Sequence, residues 1–263
     1  MEFCYPEGKT RALTFSYDDG EIHDRRLVKI FDSYGMHATF HLNSGWLNTE
    51  GYITSEELPE LYKNHEVACH GVEHRYLRQL NDIGILREIE DDRKALESYT
   101  GNIVNGLSYA FGEYSDKIIN ICQNLGIVYG RTASTTKKFR IPDDFMRWNP
   151  TCHHEEDIFT LLDSFMNPPE YRKMALMYMY GHSFEFARND NWDRIERFCE
   201  LAAGDKETWY ATNMEIFKYI DAIRSTVFSI DGHIIYNDSS IAIWLIASGE
   251  IRKLNPGETL QLR

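Results

Sequence analysis

Long apolar runs, closely spaced cysteines and an excess of positive charge are all missing from this sequence. No stretch approaches the roughly 18 apolar residues that a membrane-spanning helix needs, and residues 1–6 do not begin a basic segment followed by an apolar one. The five cysteines lie far apart, without C-x-x-C spacing. This usage favours reduced thiols over disulfides or a zinc finger. We therefore expect a cytoplasmic protein with no membrane partner and no secretory signal.

The charge balance excludes a further class of partner. The formal net charge is −13 and the isoelectric point is near 5.2, which argues against nucleic acid as the main partner. At 263 residues and 43% hydrophobic composition, the chain can bury a full core. We expect one large domain with an appendage.

Strand and helix patterns alternate over most of the chain. Apolar runs predict strands over residues 12–17, 38–42, 66–70, 106–111, 127–131 and 174–180. Amphipathic patterns predict helices over residues 24–34, 55–64, 81–100, 115–125, 156–165, 192–202 and 214–223. The helix over 81–100 is expected to turn Ile83, Leu86, Ile89 and Leu96 inward. Such alternation indicates βα units and a largely parallel sheet, closed or nearly closed as a barrel.

The last 40 or so residues follow a different pattern. Short β-like runs over 226–230, 233–236, 241–246 and 258–262 are separated by turn signals such as Asp-Gly and Pro-Gly. We predict a small antiparallel β appendage, and divide the chain into a barrel over 1–224 and an appendage over 225–263.

Chemically active side chains follow three of the predicted strands. The first strand ends in Asp18 and Asp19, the third continues into His70 and His74, and a later one ends at His182. Parallel strands bring their carboxyl ends to one face of a barrel. One aspartate and two imidazoles make a three-ligand metal site with open positions, as expected of a catalytic metal.

These motifs carry a family resemblance. The sequences FSYDDG at 15–20, HGVEH at 70–74 and YGH at 180–182 resemble the ordered motifs of the polysaccharide deacetylases, the NodB-homology enzymes of carbohydrate esterase family four. The resemblance covers about residues 10 to 220. It implies an α/β fold, a distorted (β/α) barrel of about seven parallel strands, and a divalent metal, usually Zn²⁺. It also implies removal of acetyl groups from N-acetylated sugars.

The resemblance also implies roles for individual residues. Asp19 is assigned to the metal with His70 and His74, Asp18 becomes the general base, and His182 becomes the general acid. This division is physically consistent, because a metal-bound Asp19 is held as a carboxylate while Asp18 is free to take a proton.

The middle motif departs from the family. Where the family often carries an arginine, two prolines, an aromatic residue and a glycine, this chain has LSYAFG over 107–112. Phe111 is kept, so a backbone N–H near it is available for the oxyanion. The arginine that holds the catalytic aspartate is absent, and Arg131, at the end of the next strand, is the candidate replacement. The alternative for Arg131 is a helix cap or a surface ion pair.

Other polar loops supply weaker candidates. Trp148 suits stacking against a sugar ring, although a tryptophan in such a loop also serves to cover a core edge. Adjacent side chains rarely point the same way, so His153 and His154 are not expected to share a metal. Glu185, three residues after His182, is a candidate carboxylate partner for that histidine.

The sequence therefore predicts a metal-dependent hydrolase that deacetylates an N-acetylated carbohydrate. The first alternative is an amidase of the same superfamily that acts on a small cyclic or linear amide, since the altered middle motif allows it. The second is a non-catalytic carbohydrate-binding relative that retains the barrel. The substrate is thus a carbohydrate or a small amide, and assembly into a homo-oligomer is left open.

Arg131 gives the first testable prediction. If it replaces the arginine of the family, Arg131→Ala is expected to lower kcat strongly, because Asp18 loses its partner, while the metal content is unchanged. Turnover and metal content of the purified variant test this, and unchanged turnover would remove Arg131 from the site.

Overall fold

The computed structural model describes residues 1–169 and 173–262. Fourteen strands are assigned within these residues. In chain order they are β1 (Glu2–Cys4), β2 (Arg11–Asp19), β3 (Ala38–Leu42), β4 (Glu66–Cys69), β5 (Gly106–Ser108), β6 (Tyr129–Arg131), β7 (Cys152–His153), β8 (Ala175–His182), β9 (Thr208–Tyr210), β10 (Val227–Phe228), β11 (Ile234–Tyr236), β12 (Ile243–Ala247), β13 (Glu250–Leu254) and β14 (Thr259–Gln261).

Eight α-helices, together with short 3₁₀ turns, connect these strands in the described residues. They are α1 (Asp24–Ser33), α2 (Leu58–Leu61), α3 (Asp82–Thr100), α4 (Asp116–Asn124), α5 (Ile158–Met166), α6 (Ser183–Arg188), α7 (Trp192–Ala202) and α8 (Asn213–Arg224). None of the described helices is both long enough and apolar enough to cross a membrane. All five cysteines are buried and free.

The main sheet is parallel throughout and curls into a barrel. Its strand order is β6-β5-β4-β3-β2-β8-β7. Strand β9 pairs with residues 11–13 of β2, and β3 pairs with residues 15–19 on the same edge of that strand. Trp148 bridges to Arg131 beside β6, so the segment leading into β7 partly closes the ring. The predicted barrel of about seven parallel strands is confirmed.

Strand β2 shows how the sequence builds both faces of this sheet. Successive side chains of a strand point to opposite faces. Phe15 and Tyr17 pack outward in the layer of helices, where Phe31 of α1 lies 4.6 Å from Phe15 between ring centroids. Thr14, Ser16 and Asp18 alternate with them and are also buried. The inner face of β2 is therefore polar near its carboxyl end, where Asp18 and Asp19 line the cavity of the candidate site.

The C-terminal residues form two three-stranded antiparallel sheets. Their strand orders are β1-β12-β13 and β10-β11-β14. The predicted antiparallel appendage is thus present, but the N-terminal strand β1 completes one of its sheets through pairs such as Cys4 with Trp244. The buried Asn237 side chain joins this region by donating to the carbonyls of Ile241 and Leu254, both at 2.9 Å. The domain boundary near residue 225 stays a prediction.

Two local predictions differ from the structure. The helix predicted over 55–64 is a 3₁₀ turn followed by the four-residue α2. In α3, Ile83 and Leu86 are exposed at 64% and 39%, respectively, instead of facing inward. The buried face of α3 instead includes two carboxylates, Glu88 and Asp92. The apolar pattern did not predict this face, because two of its buried residues are acids that accept hydrogen bonds from the backbone of the neighbouring loop.

Candidate metal centre and active site

The carboxyl ends of the parallel strands meet around one cavity of about 290 Å³. Its walls include nearly all the side chains that the sequence singled out: Asp18, Asp19, His70, His74, Phe111, Arg131 and His182. Tyr109, His153 and Tyr180 also line it. The barrel thus brings together residues at or just after the ends of six strands, β2, β4, β5, β6, β7 and β8, as expected of the active face of this architecture.

Three side chains converge as potential metal ligands. Asp19 Oδ1 lies 3.6 Å from His70 Nε2 and 4.0 Å from His74 Nε2. Ligands about 2.0–2.2 Å from a tetrahedral metal lie about 3.3–3.6 Å apart, so a small contraction brings the three atoms onto one ion. Asp19 Oδ1 is buried without a hydrogen-bond partner among the described residues. The donor set and the orphaned oxygen both fit a divalent cation.

His70 is held in the tautomer that a metal ligand needs. Its Nδ1 lies 2.9 Å from the carbonyl oxygen of Ser108, so Nδ1 carries the proton and donates. Nε2 is then left with a lone pair that faces Asp19. Burial lowers the pKa of His70 to about 3, which keeps the ring neutral. A backbone acceptor that fixes a ligating imidazole in this way is a common feature of metal sites.

Two buried carboxylates of α3 hold the loop that carries both histidines. Asp92 Oδ2 accepts hydrogen bonds from the amides of His70 and Gly71, both at 3.0 Å. Glu88 Oε1 accepts from the amide of Glu73 at 2.8 Å. Gly71 has a φ of +88°, and a Cβ there would lie 2.9 Å from Glu88 Oε1. Sequence reasoning missed both acids, although two carboxylates four residues apart beside Ile85 and Ile89 were a usable signal.

Asp18 is buried in a different environment from its neighbour Asp19. Its Oδ2 forms a close ion pair with Arg131 Nη2, and its Oδ1 lies 3.5 Å from His41 Nδ1. Burial alone would raise the pKa of Asp18, but Arg131, assisted by His70 and His41, outweighs it and lowers that pKa. Arg131 is only 2% exposed, so the surface ion pair considered for it is wrong.

Asp19 occupies a strained position at the end of β2. Its φ is +81°, and Gly20 follows with a φ of +73°. A non-glycine residue in this region is uncommon, and such strain is concentrated at functional sites. Burial and the adjacent charges of Asp18 and Glu21 raise the pKa of Asp19 to about 7. A bound cation would therefore stabilise the ionised form of Asp19 more than that of Asp18, which already has Arg131 as its partner.

His182 lies between the metal-ligand cluster and Glu185. Its Nε2 is 3.9 Å from Asp19 Oδ2, and its Nδ1 is 3.2 Å from Glu185 Oε2. The same Oε2 accepts the backbone N–H of His182 at 3.0 Å. Burial opposes the charge on His182, but Glu185, Asp18 and Asp19 outweigh it and raise its pKa to about 9. The contact foreseen between Glu185 and His182 is present.

Phe111 lies on the exposed rim of the cavity. It sits in a 3₁₀ turn with a φ of +60° and is 47% exposed. Its ring stacks on Tyr76 at a centroid distance of 3.6 Å and an interplanar angle of 3°. The N–H of Gly112 donates to the carbonyl of Tyr109 at 2.7 Å, which leaves the Phe111 amide as the candidate oxyanion donor in this turn.

The structure contradicts the prediction for Trp148. This residue is 1% exposed and packs in the core against Phe145 and Tyr178, with ring centroids 4.9 and 4.7 Å away. It does not line the cavity and cannot stack on a sugar. The reason is that its backbone pairs beside β6, which turns the indole into the interior.

The side chains of His153 and His154 do not point apart, as was expected of adjacent residues, and whether they share a metal is not decided by this geometry. Both Nε2 atoms approach one oxygen, Glu185 Oε2, at 3.2 and 3.3 Å. The two-residue alternation does not apply to them, because β7 ends at His153 and the chain turns there.

Comparisons with known proteins show which family model and which fold this chain is similar to. The family model described as polysaccharide deacetylase matches residues 5–130. A candidate polysaccharide deacetylase from Mycobacterium smegmatis is 15% identical, with a TM-score of 0.61 over 85% of this chain and 94% of that one. A family 4 acetyl xylan esterase from Clostridium thermocellum, solved with a cobalt ion, is 15% identical, with a TM-score of 0.52 over 78% and 90% of the two chains.

Another similar structure covers less of the chain. A Streptococcus pyogenes deacetylase, solved with acetate, is 21% identical with a TM-score of 0.45. The alignment covers 46% of this chain and spans about half (55%) of that protein's length. No curated protein sequence gives a significant match. The family match, with the fold shared with the Mycobacterium smegmatis and Clostridium thermocellum structures, confirms the resemblance to the polysaccharide deacetylases.

The carboxylates of α3 give a prediction for metal affinity. Asp92→Asn is expected to weaken metal binding by about 10–100-fold, because an amide cannot accept hydrogen bonds from His70, Gly71 and Ser44 as the carboxylate does. Competition with a chromophoric chelator measures the change. Asp91→Asn, an exposed neighbour on the same helix, is the matched control and is expected to bind normally. Equal affinities in both variants would contradict a supporting role for Asp92.

Proposed function

Taking the match of residues 5–130 to the polysaccharide deacetylase family as the premise, we propose that this protein is a metal-dependent hydrolase that removes acetyl groups from an N-acetylated carbohydrate. The observation that carries the proposal is the separation of two neighbouring carboxylates. Asp18 is paired with a buried arginine, and Asp19 faces two imidazoles. Acyl transfer by metal-activated water can use one such carboxylate as a base and the other as a metal ligand.

Asp19, His70 and His74 would hold the divalent metal, with Zn²⁺ the ion that best suits two imidazoles and one carboxylate. When bound, such an ion lowers the pKa of water and polarises the acyl oxygen. The orphaned Asp19 Oδ1 and the neutral His70 support this assignment.

Asp18 is the proposed general base. Arg131 and the low pKa of Asp18 keep it ionised at neutral pH, so it can accept a proton without first losing one. The same ion pair makes Asp18 a weak base. Asp18 can therefore accept a proton only from a water molecule whose own pKa is lowered. Arg131 also fixes the carboxylate, and a general base has to lie within hydrogen-bond distance of the proton it takes.

His182 is the proposed general acid. Its raised pKa keeps it protonated at neutral pH, so it has a proton to give to the leaving amine. Glu185 holds the Nδ1 side, which turns Nε2 toward the cavity. The amide of Phe111 is the proposed oxyanion donor, and such donors typically contribute about 3–4 kcal/mol.

The substrate is proposed from the shape of the cavity and its rim. A volume of about 290 Å³ is at the lower end of the range for small-molecule sites, about 300–1,000 Å³. This suits an acetamido group and the ring that carries it. The exposed rings of Phe111 and Tyr76 supply a flat apolar surface beside it, as sugar rings prefer. Cytoplasmic location and oligomeric state stay predictions.

An amidase acting on a small cyclic or linear amide is the second candidate. The small cavity and the replacement of the family's arginine motif by LSYAFG both favour a small amide substrate over a polymer, which would need a long open groove. A carbohydrate-binding protein without catalysis is the third, and would need Asp18 only for the buried ion pair with Arg131.

The substrate class is tested by acetate release. Metal-loaded protein is incubated with N-acetylglucosamine oligomers of increasing length, and acetate is measured. We expect release, and an Asp18→Asn variant that is slower by about 10²–10⁴-fold with unchanged metal content. Turnover of a small imide or ureide without acetate from any oligomer would replace the sugar by the small amide. No turnover of either class would favour the non-catalytic protein.

His182 gives a prediction for pH dependence. The general acid has to be protonated, so kcat/KM falls as pH rises through its pKa. Glu185→Gln removes a charge that raises the pKa of His182, and the alkaline limb is expected to move to lower pH by about one unit or more, which corresponds to about 1.4 kcal/mol. The control is Glu155→Gln, an exposed acid nearby. An alkaline limb at the same pH in both variants would argue against His182 as the acid.

A further inference from the structure

A second group of potential ligands lies on the opposite side of the His182 ring from Asp19. It consists of His153 at the end of β7, His154 immediately after it, and Glu185 in α6. Their donor atoms all lie within 4.8 Å of one another. His182 separates this group from the first cluster, because its Nε2 faces Asp19 and its Nδ1 faces Glu185.

His154 is buried without the hydrogen bonds that a buried imidazole needs. It is 1% exposed, and neither ring nitrogen has a hydrogen-bond partner among the described residues. An unsatisfied buried polar group destabilises the folded state. Nε2 nevertheless lies 3.3 Å from Glu185 Oε2. A cation between the two atoms would use the lone pairs of both.

The surrounding residues hold the His154 ring in this orientation. Its ring stacks on Tyr17 with an interplanar angle of 21°, and the Phe186 ring centroid lies 4.1 Å away. On the other side, a Cβ at Gly181 would lie 2.2 Å from His154 Nδ1. The glycine in the strand therefore gives the imidazole its space, and the ring has little freedom to turn elsewhere.

We propose that His153, His154 and Glu185 form a second divalent-cation site of the zinc class. Nε2 of His153 and of His154 lie 3.2 and 3.3 Å from Glu185 Oε2. Ligands about 2.0–2.1 Å from a tetrahedral ion lie about 3.3–3.4 Å apart. Two imidazoles and one carboxylate are ligands that zinc prefers. The inference rests on this donor geometry and does not depend on the deacetylase activity.

The site also has an outer hydrogen bond and an entry path. Glu185 Oε2 accepts the N–H of His182 at 3.0 Å, and ligating carboxylates are commonly hydrogen-bonded in this way. His153 lines the catalytic cavity, so a hydrated cation can reach the group through it. A bound ion would join the segment after β7 to α6.

Metal counting tests the proposal. Chelator-treated full-length protein is titrated with Co²⁺, and bound metal is measured by equilibrium dialysis and visible absorption. We expect two equivalents at micromolar concentration. The His74→Gln variant, which lacks a ligand of the first cluster, is expected to keep one, with the absorption of a tetrahedral site. His154→Gln is also expected to keep one.

Two further variants make the count decisive. His153→Gln replaces a partly exposed side chain and is expected to lose the same equivalent, which keeps the test valid if His154→Gln does not fold. His65→Gln is the matched control, because the side chain of His65 is also buried and lies beside a carboxylate, Asp32, at 3.4 Å. This variant is expected to keep two equivalents. One equivalent in the unaltered protein and none in His74→Gln would overturn the second site. The count is independent of acetate release, so failure of the proposed function leaves it intact.

Discussion

The buried ion pair between Asp18 and Arg131 is the constraint on which the site depends. Both side chains are almost fully buried, at 4% and 2% exposure, and a charge in such a place needs its partner. Removing one member of a buried pair typically costs about 3–5 kcal/mol. Asp18 is the second-to-last residue of β2 and Arg131 is the last residue of β6, and these strands are separated by three others in the sheet order. The pair can therefore form only when the sheet curls, so barrel closure and a charged Asp18 are physically coupled.

The same curl gives two neighbouring carboxylates different chemistry. Asp18 follows the alternation of β2 and points into the polar interior, next to His41 and Ser108. Asp19 leaves that alternation through a positive φ and faces His70 and His74 instead. Arg131 lowers the pKa of Asp18, whereas burial raises the pKa of Asp19. A single turn at a strand end is thus enough to separate a base from a metal ligand.

Much of this arrangement could be predicted from the sequence, because strand ends are local features. The alternation of strands and helices gave the barrel, and the polar residues after the strands gave Asp18, Asp19, His70 and His182. Trp148 could not be placed in the same way, since only the pairing of its backbone with a distant strand turns it inward. His153 and His154 were misjudged for a related reason: the alternation rule holds inside a strand and fails where the strand stops.

The acids that support the site were foreseen only in part. Asp92 and Glu88 on α3, and Glu185 on α6, come from helices and bind amides or imidazoles of the strand-end segments. Glu185 could be predicted because it lies three residues after His182. In a chain with 41 acidic residues, Glu88 and Asp92 are distinguished only by their spacing beside Ile85 and Ile89, and the amides that they bind become apparent only in the folded structure. Because they connect helices to segments that carry His70, His74 and His182, the geometry of the catalytic groups depends on how the outer helices pack as much as on the barrel itself.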